Sequence, residues 1–168
     1  TFRAFAFNGS KFINISQNAK KVMFLGTFTA GGLEVEIADG RLNIQQEGGS
    51  KKFVQQVEHT TFSGEYAVRR GQPVLYITER CVFSLGNTGI ELIEIAPGVN
   101  LQKDILEQME FEPRISPELC TMDERIFRPE SMNLLQELFA LPLEKRFHYD
   151  PEKNMFFVNF EGFTIKNS

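Results

Sequence analysis

Two short apolar segments on either side of a compact turn constrain the fold of this chain more than any other feature. Residues 81–85 and 90–95 are rich in β-branched and aromatic side chains, and a Gly-Asn-Thr-Gly sequence separates them at 86–89. This pattern predicts two strands joined by a tight turn. Pro97-Gly98 ends the second strand, and apolar residues at helical spacing follow at 101–109, where we predict a helix.

Other apolar runs extend the prediction to a larger sheet. Residues 22–25 and 74–77 are continuously apolar, which predicts strands buried on both faces, as in a parallel or mixed α/β sheet. Residues 33–45 instead alternate between apolar and polar side chains around Asp39-Gly40, which is a strong hairpin signal. The sequence therefore predicts an α/β fold with an antiparallel hairpin region beside the main sheet.

Weaker sequence patterns predict the secondary structure of the rest of the chain. They predict an apolar segment at 1–10, a short helix or turn at 12–20, a strand at 52–57, a short helix at 63–70 capped by Ser63, a helix at 131–139 and a closing strand at 155–160. Pro113 and Pro117 predict an irregular stretch between body and tail. We therefore expect a main body at 1–130 and a C-terminal extension at 131–168 that packs on it.

Bulk properties exclude several classes of protein. The 168 residues suffice for one domain, which by size would bury about 70% of its unfolded surface. The net charge of −4 argues against a dedicated nucleic-acid binder. The sequence has no apolar run of the ~18 residues that a membrane span needs, and it shows no secretory signal. We therefore expect a cytoplasmic protein with no nucleic-acid or membrane partner.

The two cysteines and two histidines give no framework for a disulfide or a metal. Cys81 lies within an apolar strand pattern, which favours a buried, reduced thiol, whereas Cys120 lies in a mixed segment and could be exposed. His59 and His148 are far apart and have no ligand spacing around them. We expect no metal site and a reducing compartment.

A series of short blocks resembles the family I coenzyme A transferases. The blocks are FINIS with AKKV at 12–22, GTFTAGGL at 26–33, KKFV with TFSG between 51 and 64, YITER at 76–80, IEIAPG at 93–98 and MDERIF at 122–127. They keep a similar order and spacing across roughly residues 11 to 130. The likeness is to the long single-chain type of the acetate, propionate, acetoacetyl and 3-oxoacid CoA-transferases. It implies a CoA-transferase-like, Rossmann-like α/β fold with a mixed or parallel sheet.

The resemblance implies covalent catalysis by a glutamate that becomes a glutamyl-CoA thioester. In the family this glutamate lies in an E-x-G-x-x-G motif upstream of the matched blocks. Glu47-Gly48-Gly49 comes nearest here, but Lys52 stands where the last glycine should be, and Glu161-Gly162 fails as well. We therefore predict no catalytic residue in this chain, which is similar to the C-terminal part of a CoA-transferase cut after its nucleophile.

The loop at 26–32 is the candidate substrate site. It follows the predicted strand at 22–25, and ligands of α/β sheets bind beyond the carboxyl ends of strands. Small residues allow close backbone approach, and threonine hydroxyls can donate hydrogen bonds. The resemblance implies a pocket wall that faces the acyl group or the pantetheine, formed by Gly26, Thr27, Thr29, Gly31 and Gly32. The alternative is a tight strand-to-hairpin connection that simply needs glycine.

Charged and aromatic residues elsewhere have structural interpretations. Glu79 and Arg80 join two apolar strands, where structural pairing is favoured over substrate contact. Lys20-Lys21 and Lys51-Lys52 are interpreted as solvated strand flanks rather than as a site for the phosphates of CoA. The 17 phenylalanines have two interpretations, core filling or an apolar surface that meets missing segments.

The resemblance implies acyl-CoA and carboxylate substrates, with coenzyme A as a substrate rather than a cofactor, and a homo-oligomer. It leaves three hypotheses open. The chain is an enzyme fragment, or a binding or assembly subunit whose partner carries the glutamate, or a degenerate copy. Relatives tend to have paired glycines just before Phe12, where this chain has Gly9-Ser10-Lys11, and that departure keeps the last hypothesis open. Each hypothesis predicts that the isolated chain does not transfer CoA.

Overall fold

The computed structural model describes residues 15–56, 62–139 and 142–160. The chain divides into two compact units, Thr1–Pro129 and Glu130–Ser168. Several sequence predictions lie outside the described residues, namely the apolar segment at 1–10, the Gly9-Ser10-Lys11 entry, His59 and Glu161-Gly162. Residues 15–18 are helical, in the region where a short helix or turn is predicted.

A five-stranded mixed sheet forms the centre of the first unit, in the order β1-β6-β7-β8-β9. Its strands are β1 (Val22–Leu25), β6 (Val74–Ile77), β7 (Cys81–Gly86), β8 (Gly89–Ile95) and β9 (Arg114–Thr121). The pairs β1–β6 and β8–β9 are parallel, whereas β6–β7 and β7–β8 are antiparallel. The predicted strand-turn-strand unit is therefore confirmed as the antiparallel middle of a mixed sheet.

Smaller elements surround this sheet. They are the hairpin of β3 (Glu34–Ala38) with β4 (Arg41–Gln46), the short pair of β2 (Thr29–Ala30) with β5 (Ser50–Lys51), helix α1 (Gly64–Arg69), a π-helix at Leu101–Ile105 and 3-10 helices at Leu106–Gln108 and Glu124–Phe127. The Ser63 hydroxyl caps α1 by accepting a hydrogen bond from the Tyr66 amide at 3.2 Å, as the sequence predicts. The predicted helix at 101–109 is present, but as consecutive π and 3-10 turns.

Two apolar clusters cover the two faces of the sheet. Val74 and Tyr76 belong to the larger cluster, whereas Leu75 and Ile77 pack against the smaller one, because successive side chains of a strand point to opposite faces. The larger cluster includes the rings of Phe28, Phe53 and Phe83, which are fully buried. The smaller contains Leu42, Val82, Ala96, Met122 and Phe127.

The prediction that residues 22–25 are buried on both faces is wrong. Val22 is buried, but Met23 is 49% exposed and Leu25 is 75% exposed. Strand β1 is at the edge of the five-stranded sheet, and neither Met23 nor Leu25 belongs to the smaller cluster. Within the described residues this part of the sheet therefore presents apolar side chains to solvent.

The prediction of an irregular stretch around Pro113 and Pro117 is also wrong. Strand β9 runs through Pro117 at the opposite edge of the sheet. Its register jumps from the pair Leu92–Ile115 to the pair Glu94–Cys120, so the residues between them bulge out. Proline is tolerated at such an edge bulge because no ladder hydrogen bond from its nitrogen is needed. The prediction of a strand at 52–57 is wrong for the described residues 52–56, because the nearby strand β5 covers only Ser50–Lys51; residue 57 lies outside the described residues.

The second unit consists of helix α2 (Leu134–Phe139), a 3-10 turn at Leu143–Arg146 and the hairpin of β10 (Phe147–Asp150) with β11 (Met155–Val158). The predicted helix and closing strand are both present, although the strand ends at Val158. Four phenylalanines of this unit are 43% exposed or more, namely Phe147, Phe156, Phe157 and Phe160. Core filling therefore accounts for the phenylalanines of the first unit's larger cluster and not for these.

We expect the two thiols to differ sharply in reactivity. Cys81 is fully buried, and burial raises its pKa to about 12, whereas Cys120 is exposed. Because the thiolate is the reactive form, a disulfide reagent at mildly alkaline pH should label Cys120 quickly and Cys81 only after unfolding. In Cys120→Ser, fast labelling should disappear. A rapidly reacting thiol that persists in this variant would contradict the structure.

Gly98 provides a second test, because strand β4 passes directly over it. Gly98 has φ of +91°, and a Cβ there would lie 2.6 Å from the Leu42 carbonyl oxygen. Gly71 also has positive φ, at +63°, but has no atom within 4 Å of such a Cβ. Gly98→Ala should therefore lose about 1–3 kcal/mol more stability than Gly71→Ala, measured by urea denaturation. Equal losses would show that β4 does not pack there.

Candidate functional site

The candidate site begins where two parallel strands end side by side. Leu25 pairs with Ile77 at the carboxyl ends of β1 and β6, so the residues that follow these strands meet at one edge of the sheet. Residues 26–32 follow β1, and residues 78–80 follow β6. The Phe28 amide donates a hydrogen bond to Glu79 Oε2 at 2.8 Å, which joins the two segments. This is the end of an α/β sheet at which ligands bind.

The guanidinium of Arg80 is the centre of the hydrogen bonds at this edge. Its side chain is fully buried. Nε donates to Glu79 Oε1 at 2.7 Å, Nη1 donates to Glu47 Oε2 at 2.7 Å, and Nη2 donates to Glu47 Oε1 at 3.1 Å. Nη1 also donates to the Asp104 carbonyl oxygen at 2.8 Å. The guanidinium carbon lies 4.8 Å from the centroid of the Phe28 ring, a cation–π distance.

Glu47 connects this guanidinium to β2. Its carboxylate accepts hydrogen bonds from the Thr29 hydroxyl and from the Gly48 amide, the latter at 3.1 Å. Thr29 is fully buried. A Cβ on Gly48 would lie 2.6 Å from the Ala30 carbonyl oxygen, so only glycine allows the Glu47 turn to approach β2 this closely. Both carboxylate oxygens of Glu47 are therefore engaged within the protein.

Lys52 holds the same loop from a different direction. Its ammonium donates to the Thr27 carbonyl oxygen at 2.8 Å and to the Thr27 hydroxyl at 2.6 Å. The Thr27 hydroxyl in turn donates to the Thr29 carbonyl oxygen at 2.6 Å. Lys52 is only 7% exposed, so its interpretation as a solvated flank is wrong. The neighbouring Lys51 is exposed, as predicted.

The protonation of these groups follows from burial and from their partners. Burial by itself raises the pKa of Glu47, but hydrogen bonds from Arg80 and Thr29 outweigh it and leave the pKa below its usual value. Burial by itself lowers the pKa of Arg80, but Glu47 and Glu79 raise it further than burial lowers it. Burial lowers the pKa of Lys52 despite the opposing charge of Glu79. At neutral pH the cluster therefore holds Glu47 and Arg80 as a charged pair.

The structure brings together the predicted site residues in one continuous loop. Gly26 donates its amide to the Ile77 carbonyl oxygen at 3.1 Å, while Thr27 and Thr29 are held by Lys52 and Glu47. Gly31 and Gly32 are exposed and have φ of +79° and +88°, a backbone region that favours glycine. The loop thus has an anchored half, in which Gly26 and Thr27 are exposed while Phe28 and Thr29 are buried, and an exposed half of glycines. The positive φ angles also meet the requirement of the alternative interpretation, a tight connection that needs glycine.

Sequence reasoning missed the association of Glu47 with Arg80. These residues are 33 positions apart, and no local spacing joins them. One signal in the sequence could have indicated such a pair. Arg80 lies between two apolar strands, and a buried arginine needs a counter-charge when the chain folds. Glu47 entered the sequence analysis only as a failed nucleophile motif, and its partners show a carboxylate committed to an ion pair. The structural interpretation of Glu79 and Arg80 agrees with the geometry.

Other candidate sites are weaker. Among the residues that the structure describes, no group of three or more potential ligands could hold a metal ion. Two open surface cavities of about 400 and 410 Å³ have no lining residue in the loop at 26–32; Glu107 and Glu110 line the first, and Asp39 and Arg41 line the second. Within the described part of the chain, no helix is both long and apolar enough to cross a membrane.

Comparisons with known proteins find sequence similarity to two CoA-transferases. The acetate CoA-transferase YdiF of Escherichia coli O157:H7 is 58% identical over 131 residues, which are 78% of this chain and 24% of YdiF. The caffeate CoA-transferase of Acetobacterium woodii is 56% identical over 116 residues, which are 69% of this chain and 22% of that enzyme. This chain is similar to a part of each of these CoA-transferases. It spans about a quarter of the length of these relatives, and no family model matches it.

The fold comparison agrees. A crystal structure of E. coli O157:H7 YdiF, described as a thioester complex with CoA, superimposes with a TM-score of 0.71 at 60% identity. The superposition covers 72% of this chain and 24% of YdiF. The resemblance inferred from the sequence blocks and the predicted CoA-transferase-like α/β fold are therefore both confirmed.

We expect Glu47 to make the stability of the chain depend on pH. Its pKa is lowered from the usual value of 4.5, so its contribution is present above about that pH and is lost as the pH falls through the lowered value. Glu47→Gln should therefore cost about 1–3 kcal/mol of unfolding free energy near neutral pH. The cost should shrink in acid.

Urea denaturation at neutral and at acid pH measures the unfolding free energy of the wild type and of Glu47→Gln. Glu118→Gln is the matched control, because Glu118 is an exposed carboxylate on β9. A Glu47→Gln cost that is the same at acid and neutral pH would contradict the ion pair.

Proposed function

We propose that this chain is the C-terminal portion of a CoA-transferase that moves CoA between an acyl-CoA and a short-chain carboxylate. The observation that carries the proposal is the identity of 58% with a quarter of an acetate CoA-transferase, together with a shared fold. A crystal structure of the same relative is described as a thioester with CoA. Transfer through a glutamyl-CoA thioester accounts for such a species. A glutamate carboxylate attacks the acyl-CoA carbonyl and displaces the CoA thiolate, which leaves an acyl-glutamyl anhydride. The thiolate then attacks the glutamyl carbonyl of this anhydride, forms the glutamyl-CoA thioester and releases the acyl group as a carboxylate.

In this proposal the loop at 26–32 forms one wall of the thioester pocket. The residues that face the acyl group or the pantetheine are Gly26, Thr27, Thr29, Gly31 and Gly32. The position of the loop beyond β1 and β6 supports this role, as do the exposed glycines, which let a ligand approach the backbone closely. A preorganised backbone is what stabilises charge that develops on a thioester oxygen.

The nucleophilic glutamate comes from polypeptide outside these 168 residues. Glu47 does not serve, because Arg80, Thr29 and Gly48 engage both of its oxygens. The sequence contains no E-x-G-x-x-G motif. The remainder of the enzyme, in the same chain or in a partner subunit, supplies this residue and completes a cytoplasmic homo-oligomer. Coenzyme A enters as a substrate, and no other cofactor takes part.

Two assays test the proposal together. The isolated chain, incubated with an acyl-CoA and acetate, should show no CoA transfer above a buffer blank. A chimera of E. coli YdiF in which these residues replace the homologous segment should transfer CoA, because the exchange restores a complete pocket around the relative's own glutamate. YdiF lacking the segment is the control and should be inactive.

The outcomes separate the hypotheses. Turnover by the isolated chain would refute the absence of a nucleophile. A chimera that folds but does not transfer CoA would refute the pocket-wall role and would favour a degenerate copy. Activity that appears when the separate chain is added to truncated YdiF would show that the segment also works as a subunit.

A further inference from the structure

Arg80 joins four segments that are far apart in the sequence. Through Glu79 it reaches the Phe28 amide, and through Glu47 it reaches the Thr29 hydroxyl. It also binds the carbonyl oxygen of Asp104, which lies in the π-helix Leu101–Ile105. The anchored half of the loop at 26–32 is therefore held by two carboxylates, and one guanidinium holds both of them.

This arrangement makes the guanidinium hard to replace. The side chain of Arg80 is fully buried, while those of Glu47 and Glu79 are 27% and 17% exposed. Without the guanidinium, two half-buried carboxylates would face each other with no cation between them, and like charges at short range repel. Relief of this repulsion would move the turn at Glu47 or the segment at Glu79, and with either one the loop that it holds.

We propose that Arg80 is a positioning residue for CoA transfer. It sets the backbone at Phe28 and Thr29, and thereby the place of the glycine turn at 30–32 in the pocket wall. This inference rests on the proposed function, because the wall matters only if it faces the substrate. Arg80 itself does not contact the reacting atoms, because its donors bind Glu47, Glu79 and Asp104.

The positioning of the loop depends on the planar shape of the guanidinium as well as on its positive charge. Nη1 and Nη2 bind the two oxygens of Glu47 side by side while Nε points to Glu79. A lysine ammonium is a compact point charge and does not reproduce such a fork. Arg80→Lys therefore keeps the positive charge and removes the geometry, which separates positioning from simple neutralisation.

The first test is kinetic and uses a full-length CoA-transferase that carries these residues. In Arg80→Lys we expect kcat to fall about 10- to 100-fold, as a misplaced pocket wall would cause, while KM for the acyl-CoA changes less than about 3-fold. The matched control is Arg114→Lys, because Arg114 is 61% exposed and its guanidinium lies 3.9 Å from Glu91 on the sheet surface. The control should keep its kcat.

The second test needs no activity. Amide hydrogen exchange of residues 26–32 in the substrate-free protein should accelerate at least several-fold in Arg80→Lys. Exchange at the β7–β8 hairpin should stay unchanged, because its ladder does not depend on the guanidinium. Arg114→Lys should alter neither segment. Exchange thus reports the order of the loop whether or not the enzyme turns over.

Together the readouts distinguish a failed positioning role from a failed function. An active wild type with unchanged kcat in Arg80→Lys, or with a raised KM alone, overturns the positioning role. An inactive wild type with accelerated loop exchange in the variant refutes the proposed function and leaves the loop anchor standing. If Arg80→Lys does not fold, Glu47→Gln decides by the same two measurements, because it keeps the guanidinium and removes the charge of one partner.

Discussion

The structure around the candidate site depends on one buried cation. Arg80 is fully removed from solvent, and burying a charge is costly unless carboxylates and carbonyl oxygens compensate it. Glu47, Glu79 and the Asp104 carbonyl supply that compensation. Because each comes from a different part of the chain, the ion cluster is satisfied only when several loops have reached their final places together. The charge thus selects one arrangement of loops rather than merely adding stability.

The mixed sheet explains why these loops meet at all. The parallel pairing of β1 with β6 puts the carboxyl ends of two strands side by side, and the antiparallel hairpin of β7 and β8 fills the centre of the sheet. Phe28, Phe53 and Phe83 pack beneath the site with ring centroids 4.7 to 6.4 Å apart. The Arg80 guanidinium also lies over the Phe28 ring, so this side chain contacts both the apolar core and the ion cluster. The loop at 26–32 therefore rests on a rigid base.

Local patterns in the sequence predicted the elements that local physics determines. The β7–β8 hairpin, the β3–β4 hairpin and the capped helix after Ser63 each have their turn or cap residues within a few positions. The sequence contains no such local signal for whether a strand lies at the edge or in the interior of the sheet. An edge strand such as β1 and a central strand such as β6 are equally apolar, so the exposure of Met23 and Leu25 was not predictable from their segment. The same holds for Lys52, whose partner Thr27 is 25 positions away.

The proposed function requires that the loop beyond β1 and β6 face the transferred acyl group. The direct measurement is photocrosslinking of a full-length CoA-transferase that carries these residues, using an acyl-CoA with a photoreactive acyl chain, followed by peptide mapping. If the loop faces the acyl group, crosslinks form within residues 26–32, and excess unlabelled acyl-CoA suppresses them. Competable crosslinks that map elsewhere in the enzyme and leave this loop unlabelled would contradict the proposed function.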